Sequence, residues 1–186
     1  MTIHKKELFT IPNLMGYFRI LLIPVFMYIY INAHSTADTY HALAVLILSG
    51  ITDFFDGIAA RRLHQVTELG KALDPIADKL TLGAVILCLI ETIQGFQYLF
   101  AVFAVKELYM LFGNLISMRS HGRKLDGAAF IGKAATMITY WCMGFFLLFP
   151  HMPRVLQIIL MLLCGSMMIA SGLYYLPIFY RYIRGN

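Results

Sequence analysis

Residues 53–78 read DFFDGIAARRLHQVTELGKALDPIAD and decide how the chain is interpreted. Four of the ten acidic residues in the chain are the aspartates of this segment, Asp53, Asp56, Asp74 and Asp78, and strongly apolar stretches flank them. Carboxylates at the edge of a membrane are costly to keep ionised unless a cation holds them together. Two of them about 4 Å apart repel by roughly 4 kcal/mol at an effective dielectric constant of about 20. Because hard oxygen ligands suit Mg²⁺ and Mn²⁺, the segment predicts a divalent-metal site.

The chain as a whole is unusually apolar. Of its 186 residues, 60% are hydrophobic and 13% are charged, which is about half the charged fraction of a typical soluble domain. A helix of about 20 apolar residues crosses a hydrocarbon layer ~30 Å thick. Six stretches are about that long: 11–33, 39–60, 72–93, 96–118, 127–149 and 153–179. We therefore predict a single all-α integral membrane domain over residues 1–186, with six transmembrane helices.

Lysine and arginine predict the orientation of these helices. With a cytoplasmic N-terminus, the only basic residue of the outer loops is Arg154. The inner flanks and loops then hold Lys5, Lys6, Arg61, Arg62, Lys71, Arg119, Arg123, Lys124, Arg181 and Arg184. This bias predicts that both termini and the aspartates face the cytoplasm. The net charge of +5 is interpreted as topology and contact with anionic lipid headgroups, and not as nucleic-acid binding. Because Arg19 lies within the first apolar run, that run is interpreted as a span and not as a signal peptide.

The aspartates form two pairs with helical spacing. Asp53 and Asp56 are three residues apart near the end of the second apolar stretch, and Asp74 and Asp78 are four apart near the start of the third. The short link 63–70 makes these helices antiparallel neighbours, so the two acidic faces are expected to meet. A structural alternative is a helix pair held by salt bridges to the nearby cations Arg61, Arg62, Lys71 and Lys79.

Small residues accompany the carboxylates. Gly57 and Ala60 continue the face of Asp53, which leaves room for a ligand to approach the helix backbone. Ordinary small-residue helix packing is the alternative for these two positions. Gly70 suits either a turn or a close backbone approach.

The spacing D-x-x-D-G-x-x-A-R-x8-G-x-x-x-D-x-x-x-D resembles the signature of the CDP-alcohol phosphatidyltransferase family at every fixed position. Members of this family are small six-helix membrane enzymes. The resemblance implies a homodimer that takes CDP-diacylglycerol as donor. It also implies that Asp53, Asp56 and Asp74 bind two divalent ions, Mg²⁺ or Mn²⁺, together with the nucleotide diphosphate. Asp78 would be the general base and would also touch metal.

The resemblance extends to the nucleotide pocket. Gly57, Ala60, Arg61 and Gly70 match the family positions that shape the CDP site, which Asp53 and Asp56 also contact. The run from Pro12 and Asn13 to Arg19 resembles the family's P-N-x-x-T-x-x-R opening, with Gly16 in place of threonine. This match implies a nucleotide-binding role for Asn13.

The acceptor alcohol is suggested by the same kind of resemblance. Residues 52–81 most resemble phosphatidylglycerophosphate synthases, which use glycerol 3-phosphate, and an acceptor phosphate needs cations. The candidates are Lys106, Arg119 and Lys133. Lys106 stands where those synthases have arginine, Asn114 stands where they commonly have another, and the Lys133 stretch lacks their second lysine. Cardiolipin synthases of the same family, which use phosphatidylglycerol, therefore remain an alternative.

A non-enzymatic alternative is a cation transporter. Transporters bind ions with intramembrane carboxylates near the bilayer midplane, often between repeated halves. Here the aspartates cluster at one end of the predicted spans, and the sequence has no internal repeat, so an enzyme is favoured. Cys88, Cys142 and Cys164 lie in apolar runs without metal-ligand spacing and are interpreted as packing residues.

Overall fold

A computed structural model describes residues 9–121 and 130–184, with side chains for residues 9–113 and 132–177. All regular secondary structure in these ranges is α-helical, which confirms the predicted fold class. The helices are α1 (Ile11–Ile31), α2 (Thr36–Arg62), α3 (Glu68–Thr92), α4 (Phe96–His121), α5 (Phe130–Leu148) and α6 (Arg154–Arg184).

Part of the topology prediction falls outside the described residues. Lys5, Lys6, Arg123, Lys124 and positions 127–129 of the predicted fifth span lie outside them. The same holds for the side chains of Arg119, Arg181 and Arg184. The cytoplasmic orientation of the termini therefore stays a prediction.

Four helices of the described chain are long and apolar enough to cross a membrane. They are α1, α2, the Phe96–Gly113 part of α4 and the Arg154–Pro177 part of α6. By contrast, the first half of α3 carries charged residues up to Lys79, and α5 is described over only 19 residues. The count of six spans stays a prediction.

The described chain divides into two compact units, residues 1–88 and 89–186. In the first unit, α1 lies along α2. Phe26 of α1 is 1% exposed and lines one apolar gap with Val45 of α2 and Ala84 of α3. Its ring stacks on Tyr30, with centroids 5.9 Å apart. Because lipid tails are as apolar as these side chains, close van der Waals packing is what favours such helix contacts in a bilayer.

The ends of α2 and the start of α3 are fixed by local hydrogen bonds. Ser35 and Asp38 form a capping box at the start of α2. At its end His64 adopts a left-handed conformation with φ 52°, and the amide of Gln65 donates to the carbonyl of Ala60 at 3.0 Å. After this turn α3 starts at Glu68, so the predicted link 63–70 was too long, and Gly70 belongs to the first turn of α3.

In the second unit, α6 packs against both α4 and α5. The rings of Phe96 in α4 and Phe146 in α5 meet edge to face, with centroids 4.9 Å apart. Cys142 and Cys164 are buried and free, as expected for hydrophobic packing residues. Arg154, at the start of α6, donates from Nη2 to the carbonyl of Gln94 at 2.8 Å.

Candidate active site

The aspartates of the first unit surround an arginine from α1. Nη1 of Arg19 lies 2.5 Å from Oδ1 of Asp53 and 3.6 Å from Oδ2 of Asp56, both on α2. Nη2 of the same side chain contacts Oδ1 of Asp78 on α3. The arginine side chain is 3% exposed, whereas those of Asp53 and Asp78 are 45% and 43% exposed. The carboxylates of α2 and α3 therefore meet, and their shared cation comes from α1.

The alternative of a salt-bridged helix pair predicted that Arg61, Arg62, Lys71 and Lys79 would pair with the aspartates. Instead, Arg61 donates from Nε to the carbonyl of Gly57 at 3.0 Å, within its own helix. Lys71 pairs with Glu68 at 2.7 Å, three residues away. Neither of these contacts joins α2 to α3, whereas Arg19 is ion-paired with Asp53 of α2 and with Asp78 of α3.

The donor atoms of this cluster fit a divalent cation in chemistry and charge. Four carboxylates against one guanidinium leave an excess of negative charge, and Oδ2 of Asp56 is buried with no hydrogen-bond partner among the described residues. Nη1 of Arg19 lies 3.6 Å from this oxygen, too far for a hydrogen bond, so a closer cation or donor would stabilise it. In the described chain, however, no three acidic, histidine or cysteine side chains are already grouped as a metal site. A metal would therefore share with Arg19 the carboxylates that Arg19 contacts.

A small open cleft lies beside the carboxylates. Asp56 belongs to both features, since it lines the cleft and lies near Arg19. The other lining residues are Pro12, Asn13, Gly57, Ala60, Gln65, Val66, Thr67, Gly70, Lys71 and Asp74. The cleft thus contains five of the predicted nucleotide-binding residues: Asn13, Asp56, Gly57, Ala60 and Gly70. Asp53 and Arg61 are not among its described lining residues.

Three residues that line the cleft are joined by hydrogen bonds between α1 and the start of α3. The hydroxyl of Thr67 donates to Oδ1 of Asn13 at 3.0 Å and accepts the backbone N–H of Gly70 at 3.0 Å. A Cβ atom on Gly70 would lie 2.8 Å from Oδ1 of Asn13. The sequence suggested either a turn or a close backbone approach at Gly70. The close approach is correct, and the turn is wrong because Gly70 lies within α3.

The candidate acceptor residues lie in the second unit. Nζ of Lys106 on α4 pairs with Oε1 of the neighbouring Glu107 at 2.6 Å, and both side chains are mostly buried. Lys133, in the first turn of α5, is exposed. Arg119 is part of α4, but its side chain lies outside the described part of the chain.

Comparison with known proteins agrees with the motif. Residues 9–170 match the family model described as CDP-alcohol phosphatidyltransferase. The chain belongs to the CDP-alcohol phosphatidyltransferase family. This is a family of membrane enzymes of phospholipid synthesis, and together with the apolar helices it identifies the chain as an integral membrane protein.

Relatives with two different names resemble this chain. A putative cardiolipin synthase of Mycobacterium tuberculosis is 31% identical over 78% of the chain and 65% of the relative. A cardiolipin synthase (CMP-forming) of Streptomyces coelicolor is 33% identical over 72% of the chain and 63% of the relative. A CDP-diacylglycerol–glycerol-3-phosphate 3-phosphatidyltransferase of Rickettsia felis is 44% identical over 44% of each. The matches thus span less than two thirds of each of these relatives.

Three residues of the candidate site were missed by the sequence interpretation. Arg19 ends the P-N-x-x-T-x-x-R opening, which could have drawn attention to it as a charge inside an apolar helix. Thr67 precedes a helix start, where threonine is a preferred N-cap residue. Gln65 lines the cleft with its Oε1 buried and without a hydrogen-bond partner in the described chain, and no sequence signal marks it.

Proposed function

We propose that this phosphatidyltransferase transfers the phosphatidyl group of CDP-diacylglycerol to glycerol 3-phosphate, with release of CMP. The observation that carries the donor half is the cleft, because residues of the family signature line it directly beside the carboxylate cluster. Cytidine diphosphate would lie in this cleft while the acyl chains remain in the lipid. The Rickettsia relative, whose name gives both substrates, supports the acceptor half.

The reaction is a displacement at phosphorus. The acceptor hydroxyl forms a bond to the phosphorus atom that carries diacylglycerol, and the bond to the CMP oxygen breaks. We assign Asp78 as the base that takes the hydroxyl proton, since its carboxylate is near the other aspartates and is partly exposed. Asp53, Asp56, Asp74 and Asp78 would hold two ions of Mg²⁺ or Mn²⁺. Such ions, when bound, neutralise a diphosphate and stabilise CMP as leaving group.

Residues of the cleft would position the nucleotide. Asn13, Thr67 and Gly70 fix the distance between α1 and α3 at the cleft, so a nucleotide meets a preformed surface. Gly57 and Ala60 line the cleft with small side chains, which leaves the backbone of α2 accessible. Phosphoryl transfer depends mainly on such positioning and on charge stabilisation.

Phosphatidylglycerol is the second candidate acceptor, and cardiolipin would then be the product. Two observations favour it. The relatives named cardiolipin synthase match over a larger share of this chain than the Rickettsia protein does. In addition, Lys106 already pairs with Glu107, so it is less suited to an acceptor phosphate.

One assay tests both candidates. Purified protein in lipid vesicles would receive CDP-diacylglycerol and Mg²⁺ with glycerol 3-phosphate, phosphatidylglycerol, inositol phosphate or serine, each alone. We expect CMP release and a new lipid only with glycerol 3-phosphate. Product from phosphatidylglycerol alone would establish the second candidate. Failure to release CMP with any acceptor would contradict the proposed activity, and ion movement without CMP release would indicate a transporter.

A further inference from the structure

Arg19 is a buried charge in an apolar helix, and it contacts three of the four signature aspartates. It lies in α1, one of the helices that are long and apolar enough to span a membrane. A cation in such a helix is expensive unless it is paired, and it usually marks a functional site. Its partners Asp53 and Asp56 come from α2, and Asp78 comes from α3. The guanidinium group thus links three helices at one point.

The two ends of the guanidinium group have different partners. Nη1 lies 2.5 Å from Oδ1 of Asp53, while Nη2 contacts Oδ1 of Asp78. A planar fork with several donors can fix two carboxylates in this way, whereas a lysine ammonium acts as a single flexible point charge. Nη2 donates a hydrogen bond to Asp78, while Nη1 is ion-paired with Asp53 without hydrogen-bond geometry, so one guanidinium bridges the two carboxylates through two of its nitrogens.

Arg19 also lies behind the carboxylates. Its side chain is 3% exposed, while nearly half of the surface of Asp53 and of Asp78 is accessible. The arginine occupies the inner side, so ligands can approach these aspartates from the open side. Such an arrangement orients ligating groups from behind, as residues surrounding metal ligands do in other proteins.

We infer that Arg19 is a positioning residue, which holds Asp53 of α2 and Asp78 of α3 in the relative orientation needed to bind divalent metal and to accept the acceptor proton. The inference rests on the proposed function for the roles of these two aspartates. It assigns Arg19 no contact with substrate. The alternative is that the guanidinium of Arg19 only neutralises charge. Removing it would then strengthen metal binding, because the cluster of aspartates would become more negative.

The test compares Arg19→Lys and Arg19→Gln with the wild-type protein. The matched controls are Arg154→Lys and Arg154→Gln, since Arg154 also makes defined side-chain contacts but lies in the second unit. Binding of Mn²⁺ alone would be measured by electron paramagnetic resonance on purified protein, together with kcat, KM for donor, and the unfolding temperature. Loss of an orienting partner typically weakens metal affinity by about 10- to 100-fold.

We expect both Arg19 variants to bind Mn²⁺ at least about tenfold more weakly and to lose kcat with little change in KM. The lysine variant should remain folded without rescuing either value, and the Arg154 variants should behave like the wild type. Unchanged or tighter Mn²⁺ binding, or full rescue by lysine, would overturn the inference. So would a lysine variant that fails to fold, because the role would then be structural. If the wild type binds Mn²⁺ but releases no CMP, the proposed function fails while the binding comparison still decides the role of Arg19.

Discussion

The hydroxyl of Thr67 donates a hydrogen bond to Oδ1 of Asn13 at 3.0 Å, which connects the start of α3 to the first turn of α1. The same oxygen accepts the N–H of Gly70 and so caps α3. Asn13 is 1% exposed, so this contact lies inside the protein next to the cleft. One threonine therefore fixes both the start of a helix and its distance from the neighbouring helix.

Thr67→Val should destabilise the protein and weaken donor binding. The substitution keeps the side-chain shape but removes the cap, worth about 1 kcal/mol, and the donor to buried Asn13, worth about 1–3 kcal/mol. We expect a lower unfolding temperature and a higher KM for CDP-diacylglycerol. Thr67→Ser, which keeps the hydroxyl, is the control and should stay close to the wild type. Wild-type stability and KM in Thr67→Val would show that these hydrogen bonds do not matter.

Gly70→Ala should impair the nucleotide cleft by a steric route. The new Cβ would lie 2.8 Å from Oδ1 of Asn13 and 3.1 Å from Oγ1 of Thr67, so these side chains, or the helices that carry them, must shift. We expect a raised KM for CDP-diacylglycerol. Gly50→Ala is the matched control, because a Cβ there meets nothing within 4 Å. A Gly70→Ala enzyme with wild-type KM would mean that the cleft does not hold the nucleotide.

Contacts between residues near each other in the chain could be predicted from the sequence, whereas the contact of Arg19 with the aspartates could not. Helical spacing placed Asp53 with Asp56 and Asp74 with Asp78, and a short link implied that the two pairs meet. Those inferences need only the chain between residues 53 and 78. The pairing of Arg19 with Asp78 joins residues 59 positions apart, and no local pattern specifies which cation reaches the carboxylates.

The start of α3 also depends on a contact with another helix, which the local sequence does not reveal. Gly70 and Pro75 favoured a later helix start, near Lys71. The cap formed by Thr67 allows the helix to begin at Glu68, and the tie to Asn13 stabilises this arrangement. Asn13 lies on α1, so its hydrogen bond with Thr67 cannot be predicted from the sequence around Gly70 alone.

CMP release should require Mg²⁺ or Mn²⁺. Asp53, Asp56 and Asp78 contact one guanidinium and Asp74 lines the adjacent cleft, so a diphosphate would meet uncompensated negative charge unless divalent cations are present. We expect activity to stop after chelation by EDTA and to return when Mg²⁺ is added. Full activity after exhaustive removal of metal would contradict the assignment of two divalent ions.

Asp78→Asn and Asp53→Asn should fail in different ways. Loss of a general base typically lowers the rate by roughly 10²- to 10⁴-fold, so Asp78→Asn should lose turnover while it still binds donor. Asp53→Asn should instead shift the metal titration to higher concentrations. Asp38→Asn, a change at the exposed capping box of α2, is the control and should leave turnover unchanged. Near wild-type turnover of Asp78→Asn would exclude it as the base.

Lys133 and Lys106 provide the test of the acceptor. Lys133 is exposed in the first turn of α5, whereas Lys106 pairs with Glu107 at 2.6 Å. If the acceptor carries a phosphate, Lys133→Ala removes a charge-assisted contact worth roughly 1–3 kcal/mol. We therefore expect a higher KM for glycerol 3-phosphate, or a lower kcat/KM, with little change in donor affinity. Lys133→Arg keeps the charge and should restore most of the loss.

The same kinetic comparison separates the remaining possibilities for these lysines. Lys106→Ala removes the ion-pair partner of a mostly buried glutamate, so it should lower the unfolding temperature more than Lys133→Ala does. If Lys133→Ala weakens donor binding instead, this lysine belongs to the CDP-diacylglycerol site. If neither variant changes the use of glycerol 3-phosphate, the acceptor phosphate is bound elsewhere. If the wild type uses phosphatidylglycerol and not glycerol 3-phosphate, the cardiolipin synthase alternative replaces the proposed acceptor.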